Sequence, residues 1–352
     1  MRRNSNSRNV KGYMNLRALA ASVGGLLAAS GCIHLKPGTE AVERSTLPPD
    51  LASDAQYERL PIASTEKALE SETRFHVMRA RLSLPVLSPA GAATNRVAEL
   101  DCYLPDSRRP LPVVLVFPIS GGGYFVETYF AEALYRQGFA AIIVRREHHP
   151  DFQSGEEINA TIREGVLGYR RVLDWVCSRP EFDPGRIGVL GTSMGAIKAA
   201  LLTGVDPRVR VAVLGLVGGN LPYILAHSTE GSSRGGGITK LREKYMEEHK
   251  LTREQFYEGL KKTITWDPDR VAPAVAPRKV LLIIGTCDTV VPTETGRELR
   301  RKLGKPETIY IVSGHYTAII YLPYIRSQAL KFFKKHLAAE QHRKASTTDK
   351  HG

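Results

Sequence analysis

The pentapeptide Gly191-Thr192-Ser193-Met194-Gly195 stands directly after the apolar run Ile187-Gly188-Val189-Leu190 and directly before the helix-forming run Ala196 to Leu202. That order predicts a strand, a tight turn and a helix, with a serine at the apex. The two glycines fit a turn too tight for side chains, and its strained backbone would lift the Ser193 hydroxyl clear. The helix that follows would aim unpaired backbone N–H groups and its dipole at negative charge developing on an attacked carbonyl. A serine hydroxyl becomes an effective nucleophile only when a base takes its proton and a third group orients that base. Two later loops offer both. Asp288 lies in Gly285-Thr286-Cys287-Asp288-Thr289-Val290-Val291-Pro292, just past the apolar run Val280 to Ile284; His315 lies in Ser313-Gly314-His315, just past Thr308 to Val312. Taken singly, Asp288 reads as a helix cap and His315 as a surface-loop histidine. Serine, aspartate and histidine in that order, each just past a buried strand, together point to acyl transfer.

Such residues need a scaffold that brings strand ends to one edge. Pro112 to Phe117 is a continuous apolar run, as expected for a strand covered on both faces, and similar runs recur at Ala140 to Val144, Ile187 to Leu190, Val209 to Leu216, Val280 to Ile284 and Thr308 to Val312. Helix-period stretches lie between most of them: Tyr129 to Gln137, Ile158 to Cys177, Ala196 to Leu202 and Thr293 to Leu303, with Leu322 to His336 at the end. The alternation predicts an α/β fold with a mainly parallel central sheet and helices on both faces. Phe75 to Leu84 and Arg96 to Tyr103 predict two antiparallel opening strands. Asn220 to Val271 breaks the rhythm with a Gly- and Ser-rich loop, 231–237, and charged helical sequence from Thr239 to Lys262; it reads as a helical cap or lid.

The elbow, the Gly-x-x-Asp-x-x-Val-Pro segment at Gly285 and the Gly-His pair before the last helix resemble the α/β-hydrolase family over about Phe75 to Leu337. The nearest branches are the dienelactone hydrolase, acetyl xylan esterase and prolyl oligopeptidase-like ones. The resemblance implies Ser193 as nucleophile, His315 as base and Asp288 as its orienting acid. It also implies an oxyanion hole from the Met194 N–H and a second N–H in Pro118-Ile119-Ser120-Gly121-Gly122-Gly123. That loop departs from the relatives' form, with Pro118-Ile119 where many carry His-Gly, so the motif does not single out one amide; Ser120 or Gly121 is the expected second donor. The expected reaction is cleavage of a carboxylic ester, small or carbohydrate-linked, through an acyl-enzyme, with no cofactor and no metal. A peptidase or acyltransferase on this fold, or a non-catalytic binding protein, is the alternative.

The chain has 352 residues with 49 basic against 36 acidic and a formal net charge of +13. Much of that excess is terminal: Arg2, Arg3, Arg8, Lys11 and Arg17 precede Cys32 without an acidic residue among them, and another basic cluster lies on the last helix and the tail. Solvated ends, and no nucleic-acid partner, are the expectation. Residues 1–31 read as an export signal; Leu27-Ala28-Ala29-Ser30-Gly31-Cys32, across its end, resembles a bacterial lipobox and implies a lipid anchor at Cys32 in the cell envelope; a secreted or periplasmic protein is the alternative. Residues 32–73, polar and dotted with proline, read as a tether or strap, 74–338 as the catalytic domain, and 339–352 as a disordered basic tail. Arg145-Arg146-Glu147-His148-His149-Pro150-Asp151 lacks metal-ligand spacing and reads as a surface loop that could line the cleft.

Overall fold

The six apolar runs become the middle of one ten-stranded sheet. The computed structural model describes residues 32–38, 46–59, 61–69, 75–87, 93–121, 123–146, 154–229, 238–275 and 279–337. The expected export signal and basic tail and the loop 231–237 lie outside them, as do residues 147–153. Strands β1 (Ile33–Lys36), β2 (Ala63–Ala68), β3 (Val77–Leu87), β4 (Ala93–Tyr103), β5 (Leu111–Phe117), β6 (Ala140–Val144), β7 (Phe182–Thr192), β8 (Val209–Gly215), β9 (Val280–Gly285) and β10 (Glu307–Ile311) stand in the order β1-β10-β9-β8-β7-β5-β6-β4-β3-β2. Neighbours from β10 to β6 run parallel; β1, β4, β3 and β2 are antiparallel additions at the two sides.

Helices cover both faces because the parallel strands are apolar on both. On one side α3 (Gly155–Ser178), α4 (Met194–Val205) and α9 (Thr293–Lys302) contribute Val172, Leu201 and Leu299 to a core with Leu115, Val189 and Leu282. On the other, α2 (Phe125–Tyr135) and α10 (Leu322–Leu337) bring Phe130, Leu134 and Phe333 against Val114, Val116 and Val213. The fit is tight enough at Gly188 that an added Cβ would come 2.8 Å from the Phe333 ring.

The stretch 32–73, expected as a tether or strap, is partly built into the domain. β1 pairs antiparallel with β10, and β2 with β3. The short helix α1 (Pro49–Asp54) inserts Leu51, 1% exposed, into the first core. Asp54 accepts from Arg163 and from the Trp266 indole N–H (2.7 Å), and Tyr57 donates to Asp174 (2.9 Å). These contacts are side chain by side chain, so no hydrophobic period in the sequence announces them.

The insertion between β8 and β9 contains α5 (Leu221–His227), α6 (Ile238–Glu248), α7 (Arg253–Thr263) and α8 (Pro268–Val271). The charged stretch from Thr239 is thus two helices. Lys250 adopts φ 52° between them, and Thr252 with Gln255 forms a capping box that starts α7. The two ends of the insertion are joined at Asp267, 4% exposed, whose carboxylate accepts the backbone N–H groups of Asn220 (3.0 Å), Leu221 and Asp269 (2.7 Å). Burial, with the neighbouring Asp269 charge, pushes this carboxyl up to about 6, against the pull of the three N–H groups. Its folded pKa lies above the ordinary 3.8, so its contribution to stability is present below that value and is lost as pH rises through about 6. Asp267→Asn is therefore expected to flatten the fall in stability between about pH 4 and pH 6, read as urea midpoints across that range.

Candidate active site

The end of β7 and the start of α4 place Ser193. Its backbone has φ 56° and ψ −126°, a conformation that side-chain-bearing residues rarely adopt, and its N–H donates to Gly215 O on β8 (2.8 Å). The flanking glycines have a steric cause. A Cβ on Gly191 would lie 2.3 Å from Gly195 O, and a Cβ on Gly195 would lie 2.3 Å from Phe117 O and 2.8 Å from Pro118 O. The turn thus presses the start of α4 against the end of β5. Gly195→Ala is expected to cost about 3 kcal/mol of stability, because backbone rather than a flexible side chain must give way. Urea unfolding beside wild type checks this; an unchanged midpoint would show that the elbow has room.

Asp288 follows β9 and His315 follows β10, and the structure brings both to Ser193. His315 Nε2 lies 2.8 Å from Ser193 Oγ, and His315 Nδ1 lies 2.7 Å from Asp288 Oδ2. Asp288 is 5% exposed, and its other oxygen accepts the N–H groups of Val290 and Val291, each at 3.0 Å. A carboxylate only accepts, so the Nδ1 proton belongs to the histidine and Nε2 is left to accept from the serine. The His315 loop is itself fixed: Thr317 Oγ1 takes the Gly314 N–H (3.0 Å), and the Tyr321 hydroxyl donates to Val312 O (3.1 Å). Tyr316, 54% exposed, stands edge-on beside the imidazole at 5.6 Å between ring centres.

Met194 is the first residue of α4, where helix N–H groups have no partner within the helix. The second expected donor lies in the loop after β5. There Pro118 has no N–H, and the Ile119 N–H is already held by Glu127 Oε1 at 2.8 Å, so the sequence alternatives Ser120 and Gly121 are the next amides along. Glu127, on α2, was not singled out by its type or spacing. It is 1% exposed, burial raises its carboxyl above the usual range, and the N–H groups it accepts together with Arg146 pull the other way. Arg146, read from sequence as part of a surface loop, reaches back to Ile119 O (3.2 Å) and Gly121 O (3.4 Å).

Cys32 heads β1, half-buried, with its carbonyl accepting the Val312 N–H at 3.0 Å. Among the described residues, no three His, Cys, Asp or Glu side chains gather as a metal site, and no helix is long and apolar enough to cross a membrane.

No protein-family model matches the chain. The solved structure of acetyl xylan esterase 1 from Thermoanaerobacterium sp. JW/SL YS485 superposes with a TM-score of 0.61 at 16% identity, covering 86% of this chain and 96% of that one. The acetyl xylan esterase from Paenibacillus sp. R4 gives 0.57 at 18% identity, over 83% of this chain and 100% of that one. The chain has the α/β-hydrolase fold. Among curated proteins, "Putative hydrolase YtaP" of Bacillus subtilis (strain 168) is 22% identical over 240 residues, 62% of this chain and 72% of that protein. In an α/β-hydrolase the loops at the carboxyl ends of the parallel strands form the working edge. In this chain the carboxyl ends of the parallel strands hold Ser193 after β7, Asp288 after β9, His315 after β10 and the loop after β5.

Proposed function

We propose that the protein is a serine hydrolase of carboxylic esters. The observation that supports this is the hydrogen-bonded row Asp288–His315–Ser193, at 2.7 and 2.8 Å, ending on a serine held in a strained turn at a helix N-terminus. In the reaction so assigned, Ser193 Oγ attacks the ester carbonyl while His315 Nε2 takes its proton, and the imidazolium is stabilised by Asp288. The tetrahedral oxyanion is met by the Met194 N–H and one from the loop after β5. His315 then protonates the departing alcohol, and water repeats the sequence to free the acid and restore Ser193. Acetylated carbohydrate is the first natural substrate to test, since two structures of this fold are named for acetyl xylan.

The test is to treat the full chain with a fluorophosphonate probe and to map the labelled residue by peptide mass spectrometry, beside a p-nitrophenyl ester series of increasing acyl length. Labelling confined to Ser193 and turnover of a short ester are the expected results. A folded protein that neither labels nor turns over any ester would overturn the reading. A lipid on Cys32 is a companion proposal resting on the sequence alone: intact-mass analysis of protein extracted from the envelope should show a chain starting at Cys32 with acyl mass added, and an unmodified Cys32 would remove the anchor.

A further inference from the structure

The loop after β5 is held from both sides by charged groups that take no part in the triad. On one side, Glu127 Oε1 accepts the Ile119 N–H at 2.8 Å from a position 1% exposed, with its second oxygen buried and unpartnered. On the other, Arg146, which follows β6, donates through Nη1 to Ile119 O at 3.2 Å and to Gly121 O at 3.4 Å. Arg146 is anchored in turn. Its backbone N–H donates to the Tyr124 hydroxyl (2.9 Å), and its guanidinium lies 4.3 Å from the centre of the Tyr124 ring.

Peptide geometry gives these contacts a consequence. In a trans peptide the carbonyl and the following N–H share a plane and point in opposite directions. Fixing the Ile119 carbonyl on Arg146 therefore fixes the direction of the Ser120 N–H, which faces away from the arginine. Fixing the Ile119 N–H on Glu127 does the same for the preceding plane, whose carbonyl, that of Pro118, lies where a Cβ on Gly195 would come within 2.8 Å. Two successive peptide planes, next to the nucleophile helix, are thus set by one buried carboxylate and one guanidinium.

Resting on the ester-hydrolase reading above, we infer that Glu127 and Arg146 are positioning residues that orient the Ser120 amide as the second oxyanion donor, in place of Gly121. Neither touches the reacting atoms; each acts on a peptide plane. Oxyanion donors contribute only as charge develops, so a misdirected donor lowers kcat and leaves ground-state binding alone.

The experiment compares the full-length wild type with Arg146→Met, Glu127→Ala and Glu127→Gln on p-nitrophenyl acetate. Affinity for phenylboronic acid, which forms a tetrahedral adduct on an activated serine, is measured beside it. Arg146→Met is expected to lower kcat about 100-fold with KM within about twofold, and to weaken the boronate by the same factor as kcat/KM. Glu127→Gln keeps an oxygen acceptor for the Ile119 N–H and is expected to recover most of the kcat lost in Glu127→Ala. Arg146 sits at the rim, so its variant tests the idea even if Glu127→Ala fails to fold. Unchanged kcat in folded Arg146→Met, or a rise in KM alone, would overturn the inference. A wild type inactive towards the ester and unreactive with the fluorophosphonate would instead sink the hydrolase reading itself.

Discussion

Ser193→Ala is expected to lower turnover of a short p-nitrophenyl ester by about a million-fold, to the level left by binding and oxyanion contacts, and to abolish fluorophosphonate labelling. The size follows from the geometry. The hydroxyl sits 2.8 Å from the His315 acceptor, and a methyl group offers nothing for that base to activate. Alanine inherits the same φ of 56°, so the backbone strain at the turn is unchanged and the melting temperature should stay close to that of wild type. Stopped-flow and steady-state rates, with a melt on the same preparation, check both halves of this expectation. Labelling that survives on another residue would move the chemistry away from the elbow.

Asp288→Asn comes next, with an expected loss of about 10,000-fold in kcat. The wild-type carboxylate accepts the Nδ1 proton at 2.7 Å and so presents Nε2 to the serine as an acceptor. An amide at that place can donate instead, which favours the other tautomer and puts the imidazole proton where the Ser193 proton must go. The substituted side chain would keep one carbonyl oxygen for the Val290 and Val291 N–H groups that Asp288 Oδ1 accepts now, so the loop should hold its shape. Rates near wild type would mean that a different carboxylate orients His315.

The parts of this molecule that were legible in the sequence share a physical cause. The central stretches of β5 to β10 are covered on both faces, so burial writes them as largely apolar runs, and Ser193, Asp288 and His315 could each be located by the run that precedes it. Nothing comparable marks β2, whose six residues Ala63–Ala68 are all exposed, or β1, whose Ile33–Lys36 face solvent except at their first residue. Edge strands with no buried face have no period to read. Helix α1 is held by a single buried leucine and by side-chain bonds to residues more than a hundred positions away. Glu127 and Arg146 escaped for the same reason. A glutamate in a first helical turn is the commonest of dipole partners, and an arginine beside histidines looks like solvent-facing loop. Only the folded chain shows that both close on the peptide planes of Ile119.

The pairing of β1 with β10 also bears on the order in which the proposed site is completed as the chain emerges. Ile33 lies opposite Ile311, so the first described strand to leave the ribosome has to wait for the last one before it has a neighbour. Ser193 meets His315 across 122 positions, and His315 sits four residues beyond the end of β10. A nascent chain can complete the elbow early, yet it holds an idle serine until β10 docks between β9 and β1. On the proposed reaction, any truncation before that point removes His315 and leaves two sheet edges open together, so the incomplete chain would be inert towards esters and exposed to proteolysis and strand-to-strand aggregation. The proposed activity would thereby begin only when the sheet is complete.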